Sequence, residues 1–234
     1  MRIIFFSVIV FLSFHCSKSE TIPPPEMEPP VQSPPKMIKY LALGDSYTIG
    51  QSVSVEDRYP NQLATQLEAD SVLMDTTLIF AKTGWTTTDL QNTLTIANMK
   101  DTFDLVSLLI GVNNQYQNKP IDQYEIEFEE LLQIAIDFAG GDKEKVFVLS
   151  IPDYAFTPFG NGNPSISDEI DDFNFSNKTI TDNYGISYFD ITPISTEGLD
   201  KPELVASDGL HPSGEQYTRW VELIYDAVKT KVEE

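Results

Sequence analysis

From residue 37 onward the chain alternates. Five short runs read as strands, at 38–43, 72–81, 103–110, 146–151 and 186–191, of which 38–43 and 103–110 are apolar enough to be buried strands. Longer stretches whose apolar residues recur at helical spacing separate them. A short, continuously apolar run bounded by turn residues reads as a strand buried on both faces. The intervening stretches read as helices. Segment 59–68 carries Leu63 and Leu67 on one face, and 86–99 carries Leu90, Leu94 and Ala97. Pro120 is placed in the first turn of a helix bearing Tyr124, Phe128, Leu131, Leu132, Ala135 and Phe138, stopped by Gly140 and Gly141. Ser167 is expected to cap a helix carrying Ile170, Phe173 and Ile180 that ends near Gly185. Pro212 is expected to open the last helix, with Tyr217, Trp220, Val221, Ile224 and Val228 inward. Strands that alternate with helices imply an α/β fold with a parallel sheet covered on both faces. In such folds, ligands bind beyond the carboxyl ends of the strands.

The N-terminal segment has a different character. Arg2 precedes an apolar run at 3–14 that includes Ser7 and Ser13. The run matches the core of an export signal and is short for a membrane span. Cys16, the single cysteine, stands at its end. The placement resembles the lipidation site of bacterial lipoproteins, although His15 stands where those signals usually have a small residue. Pro23, Pro24, Pro25, Pro29, Pro30, Pro34 and Pro35 then force an extended, polyproline-type segment. The organisation expected is a signal over 1–15, a tether over 16–36 beginning at a lipidated Cys16, and one globular domain over 37–234. The protein is thus expected to be exported and to touch a membrane only through an N-terminal lipid anchor, facing the periplasm or the cell surface. One cysteine excludes an intramolecular disulfide. With 15 Lys and Arg against 36 Asp and Glu, the formal net charge is −21, which argues against nucleic-acid binding. Two histidines, His15 and His211, argue against a multi-histidine metal site.

Four polar motifs lie at or after the ends of apolar runs or before the last helix. Gly44-Asp45-Ser46-Tyr47 follows the first run. A strand-to-helix turn exposes a serine hydroxyl, and its free N–H groups suit an oxyanion. A serine hydroxyl also needs a base to become nucleophilic. Asp208-Gly209-Leu210-His211-Pro212 supplies a histidine, the natural base near neutral pH, with a carboxylate three residues earlier to orient it. Lys82-Thr83-Gly84-Trp85-Thr86 and Gly111-Val112-Asn113-Asn114 follow the second and third runs. Gly84 permits close approach by its backbone N–H, and Asn113 offers a side-chain donor. Taken singly, each motif also reads as an ordinary cap or turn. The chain lacks a G-x-S-x-G elbow, which argues against the α/β-hydrolase fold.

Serine, glycine, asparagine and histidine in this order resemble the SGNH (GDSL) hydrolase family, over residues 37–234. The resemblance implies a three-layer α/β/α, flavodoxin-like domain with a five-stranded parallel sheet. It implies Ser46 as nucleophile, His211 as base and then acid, and Asp208 as its orienting partner. The oxyanion hole would be Ser46 N–H, Gly84 N–H and the Asn113 side chain, with no metal or organic cofactor. Asn114 stands where many members have aspartate, so a changed local hydrogen bond is expected there. The implied reaction is hydrolysis of a small-molecule or glycan ester through an acyl-enzyme. Glycan deacetylation, short acyl esters and lysophospholipids all remain open as substrates. Acyl transfer by the same residues, and a non-catalytic surface binding protein on this scaffold, are the alternatives. Tyr47, Trp85, Tyr116 and Phe156 are expected either to line an acyl or sugar pocket or to pack its rim. Asp168, Glu169, Asp171 and Asp172 read as first-turn carboxylates that favour a helix dipole.

Overall fold

All five runs become strands. The computed structural model describes residues 36–233. The signal segment, Cys16 and all but the last residue of the tether lie outside the described residues. In chain order the elements are β1 (Met37–Gly44), α1 (Ser46–Ile49), α2 (Tyr59–Ala69), β2 (Leu73–Ala81), α3 (Thr87–Ala97), β3 (Leu105–Leu109), α4 (Val112–Tyr116) and α5 (Ile121–Phe138). β4 (Val146–Leu149), α6 (Pro164–Tyr184), β5 (Ser187–Phe189), α7 (Thr192–Ser195) and α8 (Gly214–Glu233) follow. The strands form one sheet in the order β2-β1-β3-β4-β5, with every pairing parallel. β1, β3 and β4 are buried almost throughout, whereas β2 and β5, at the two edges of the sheet, are only partly covered. The chain steps one way from β1 to β2 and then the other way to β3, β4 and β5. Right-handed crossovers therefore put α2 on one face and α3, α5 and α6 on the other. α8 returns to pack on α2. This is the three-layer α/β/α arrangement, and its reversal point lies between the carboxyl ends of β1 and β3.

Several boundaries differ from the sequence reading, each for a local reason. Pro120 is the N-cap of α5 rather than part of its first turn. α6 begins at Pro164, capped by Asn163, whose side chain accepts from Ser165 N–H. Ser167 instead lies within the helix and donates to Asp153 Oδ2 at 2.6 Å. Its displacement from the cap moves the acidic cluster out of the first turn, so a dipole does not account for it. Glu169, for one, accepts from Gln115 Nε2 at 2.7 Å. Pro212 does not open α8. Its segment forms an isolated bridge with Val205, and the helix starts at Gly214.

The core has two halves, one on each face of the sheet. On one face Tyr59 of α2 meets Tyr217 and Trp220 of α8, whose rings pack edge-on at 4.8 Å. On the other, Tyr124 of α5 lies 4.6 Å from Phe173 of α6 and 5.6 Å from Phe128. Burying side chains of this size contributes about 1.5–3 kcal/mol each. Phenols in such a core need partners. Ser107, in the middle of β3, shares its hydroxyl with Tyr40 of β1 at 2.8 Å and Tyr59 at 3.2 Å. Ser107→Ala is therefore expected to cost about 1–3 kcal/mol by leaving buried phenols short of a partner. Urea unfolding measures this, and a variant as stable as the parent would contradict the assignment.

Candidate active site

Three strand ends deliver the site. β1 ends at Gly44, and the chain turns immediately into α1, whose first residue is Ser46. The turn is set by Asp45, whose Oδ1 accepts from Tyr47 N–H at 3.0 Å. The carbonyl of Tyr47 is held in turn by the Tyr217 hydroxyl at 2.8 Å, which fixes α1 against α8. Beyond β2, Gly84 adopts a left-handed φ of +84° with open space where a Cβ would stand. Backbone conformation rather than crowding is thus what favours glycine there. Beyond β3, Gly111 has φ +136°, and a Cβ would come within 3 Å of Ile151 and Tyr124. This turn launches α4, which carries Asn113 and Asn114.

The two asparagines divide the work. Asn113 Nδ2 donates to the carbonyl of Trp85 at 2.9 Å, while the residue also lines the cavity described below. An amide nitrogen has two N–H bonds, so one remains for a ligand. Asn114 is buried and points away. Its Oδ1 accepts from Thr87 N–H at 3.0 Å, and its Nδ2 donates to Thr87 Oγ at 2.6 Å. Asn114 thereby ties α4 to the start of α3, and Thr87 passes the link to Glu127 of α5.

Asp208 and His211 sit in the loop before α8. That loop is closed on itself by Ala206 N–H donating to the His211 carbonyl at 2.8 Å. Asp208 Oδ1 accepts from the N–H groups of Leu210 and His211, each at 3.0 Å. Oδ2 meets His211 Nδ1 at 2.6 Å, which leaves Nε2 as the free ring nitrogen. Oδ2 also accepts from the Ser52 hydroxyl at 2.6 Å. Partial burial alone would raise the Asp208 pKa. Hydrogen bonds from Ser52, the His211 N–H and ring, and Leu210 N–H outweigh it and hold the carboxyl well below the usual carboxylate range. The Tyr47 ring meets the His211 ring edge-on at 5.8 Å.

Ser46, Gly84, Asn113 and His211 converge on one cavity of about 210 Å³. Asp208 touches it only through His211. Among the described residues the Ser46 side chain makes no hydrogen bond, so Ser46 and His211 share the cavity without being bonded to each other. Catalytic hydrogen bonds are often long in the absence of a ligand.

Tyr47 and Tyr116 line the cavity as sequence reasoning allowed, whereas Trp85 packs on Phe80 and Phe156 lies off the cavity. Tyr154 and Phe159 take that place instead. Tyr116, Tyr154 and Phe159 form a three-ring wall with centroids 6.1 to 6.3 Å apart. The Tyr154 hydroxyl is anchored on Gln115 Oε1 at 2.9 Å. The loop after β4 carries no polar motif, so the sequence offered little to single these rings out.

The model of the GDSL-like lipase/acylhydrolase family matches residues 42–219. The chain belongs to this family. No match was found among curated proteins. Solved structures add that the GDSL-type fold is shared widely at low identity. TesA is 17% identical, with a TM-score of 0.65 over 82% of this chain and 98% of that one. Axe2, an acetylxylan esterase from Geobacillus stearothermophilus, is 19% identical, with a TM-score of 0.63 over 86% and 96%. A lipase/acylhydrolase from Enterococcus faecalis is 21% identical, with a TM-score of 0.62 over 83% and 97%. The chain is accordingly a serine-ester-hydrolase type of enzyme by family.

Asp45, within the Gly44-Asp45-Ser46-Tyr47 turn, is fully buried, and its Oδ2 has no hydrogen-bond partner. Burial pushes its pKa up to about 7, against the N–H groups of Tyr47, Gly111 and Asp45 itself. A carboxyl raised in this way binds its proton more tightly folded than unfolded. Its contribution to stability is therefore largest below its unfolded pKa of about 4 and is lost as pH rises to about 7. From pH 5 to pH 8 this amounts to roughly 2–3 kcal/mol. Asp45→Asn keeps the cap and removes the titration. Urea unfolding at the two pH values is expected to show a smaller loss in the variant. Equal losses in both proteins would contradict a buried, titrating Asp45.

Proposed function

We propose that the enzyme hydrolyses carboxylic esters through an acyl-enzyme on Ser46. The observation that carries this reading is the His211–Asp208 pair, bonded at 2.6 Å, with its histidine facing the cavity that also holds Ser46, Gly84 and Asn113. Ser46 Oγ attacks the ester carbonyl carbon as His211 Nε2 takes its proton. The carbonyl oxygen becomes an oxyanion, held by the N–H groups of Ser46 and Gly84 and by the free N–H of the Asn113 side chain. Asp208, ionised well below neutral pH, keeps Nδ1 protonated and stabilises the imidazolium. The intermediate collapses, the C–O bond to the alcohol breaks, and His211 returns the proton to the leaving oxygen. Water then attacks the acyl-enzyme with His211 again as base, which releases the carboxylic acid and restores Ser46.

The cavity also bears on the substrate. At about 210 Å³, with an open mouth, it has room for a short acyl group. Tyr116 and Phe159, 56% and 54% exposed, stand at the mouth as flat surfaces against which a neutral ring-shaped alcohol can lie. The acidic surface, with a net charge of −21, disfavours anionic leaving groups. Short-chain, and in particular acetyl, esters of glycans fit these constraints, and the fold likeness to an acetylxylan esterase is in keeping with them.

Turnover of p-nitrophenyl esters from acetate to palmitate tests both parts. The expected result is a rate that falls with chain length and drops by at least about a thousandfold in Ser46→Ala and His211→Ala. Parental rates in either variant would remove the mechanism. A preference for palmitate would remove the short-acyl assignment.

A further inference from the structure

We propose that Ser52 is a positioning residue for the Asp208–His211 pair, at the tip of a strap that locks the two ends of the catalytic constellation together. The inference rests on the acyl-enzyme reading of the site. An ionised carboxylate has about four acceptor positions, and those of Asp208 are all taken. Two go to the N–H groups of Leu210 and His211 and one to His211 Nδ1, so three of the four donors come from the same short loop as Asp208. The fourth is the Ser52 hydroxyl, 156 positions away in sequence, on the same oxygen that holds the histidine ring. Three donors within one loop fix the carboxylate relative to that loop. Of the carboxylate's hydrogen bonds only the fourth comes from outside that loop, from the segment that follows α1, and it adds to the edge-on contact of the Tyr47 and His211 rings.

The rest of the strap shows what it is attached to. The N–H groups of Gly50 and Gln51 both bond the carbonyl of Ser46, the latter at 3.0 Å. The Gln51 side chain reaches the other way and accepts from Thr83 Oγ at 2.6 Å, next to Gly84. Three consecutive residues thus connect the Ser46 turn, the Gly84 turn and the Asp208 carboxylate. Ser52 holds its position at φ +67°, a left-handed backbone that a residue with a Cβ adopts only at a cost. Glycine would be easier there for the backbone and would lack the hydroxyl. The hydroxyl therefore supplies a reason for serine that the fold alone does not.

Ser52→Gly in the full-length protein separates the two roles, because it relieves the backbone while removing the donor. With p-nitrophenyl acetate, kcat is expected to fall about tenfold, as for loss of a hydrogen bond to a charged group, with KM within about twofold. The melting temperature is expected to be no lower than the parent's. In an Asp208→Ala background the same substitution is expected to change kcat by less than about twofold, since the two residues act through one interaction. A parental kcat in Ser52→Gly, or an equal loss with and without Asp208, would overturn the inference. A parental kcat in Ser46→Ala would overturn the reading beneath it, whereas loss in Ser46→Ala beside a parental Ser52→Gly would overturn the strap alone.

Discussion

A parallel strand cannot be followed directly by its neighbour, since each connection must carry the chain back to the edge where it began. With all five strands parallel, every loop that leaves a strand's carboxyl end opens on the same edge of the sheet. The order β2-β1-β3-β4-β5 then parts the outgoing connections of β1 and β3 to opposite faces. A crevice between them follows from connectivity alone. Ser46, Gly84 and Asn113 enter it within four residues of the ends of β1, β2 and β3 respectively. Their convergence needs no long-range adjustment beyond the strand register that pairs Gly44 with both Ala81 and Leu109.

The Asp208–His211 pair arrives by a different route and needs more support. Asp208 and His211 lie on a loop with no strand beneath it, and hydrogen bonds stand in for the sheet. The loop closes through Ala206 and His211, the carboxylate accepts two of its own backbone N–H groups, and Ser52 ties it to the other side of the crevice. Charge is distributed accordingly. Asp208 stays ionised because donors surround it, whereas Asp45, buried with one oxygen unpartnered, is driven toward the neutral form. Two carboxyls flanking the site thus end in opposite states through solvation and hydrogen bonding.

Much of this was legible before any coordinates, for physical reasons that also mark the limits. The central strands β1, β3 and β4 were readable because a strand buried on both faces must be apolar, whereas the edge strands β2 and β5 tolerate Asp75, Thr76, Thr77 and Ser187 and gave a weaker signal. Ser46, Gly84 and Asn113 stood out as polar motifs just after strand ends, and Asp208 and His211 as an acid and base three residues apart before the last helix. Only their order together singled them out, and the fold brings Ser46, Gly84, Asn113 and His211 to one cavity. Helix starts were less so. Ser167 and Asn163 are both good cap types, and Pro164 at the first helical position together with the Asn163 side-chain bond to Ser165 N–H sets the start at Asn163, leaving Ser167 within the helix to bond Asp153. Ser52, Tyr154 and Phe159 were not legible at all. Serine and aromatic residues are common in loops, and what distinguishes these three is proximity across long sequence separations, which no local pattern encodes.

The central claim is that Ser46 is a nucleophile activated from the other side of the crevice by His211. Peptide mass spectrometry of the protein after reaction with a fluorophosphonate tests it most directly. The account predicts one phosphonyl adduct, on Ser46, and its absence after the same exposure in His211→Ala. An unmodified Ser46, or an adduct on another of the chain's serines, would contradict it.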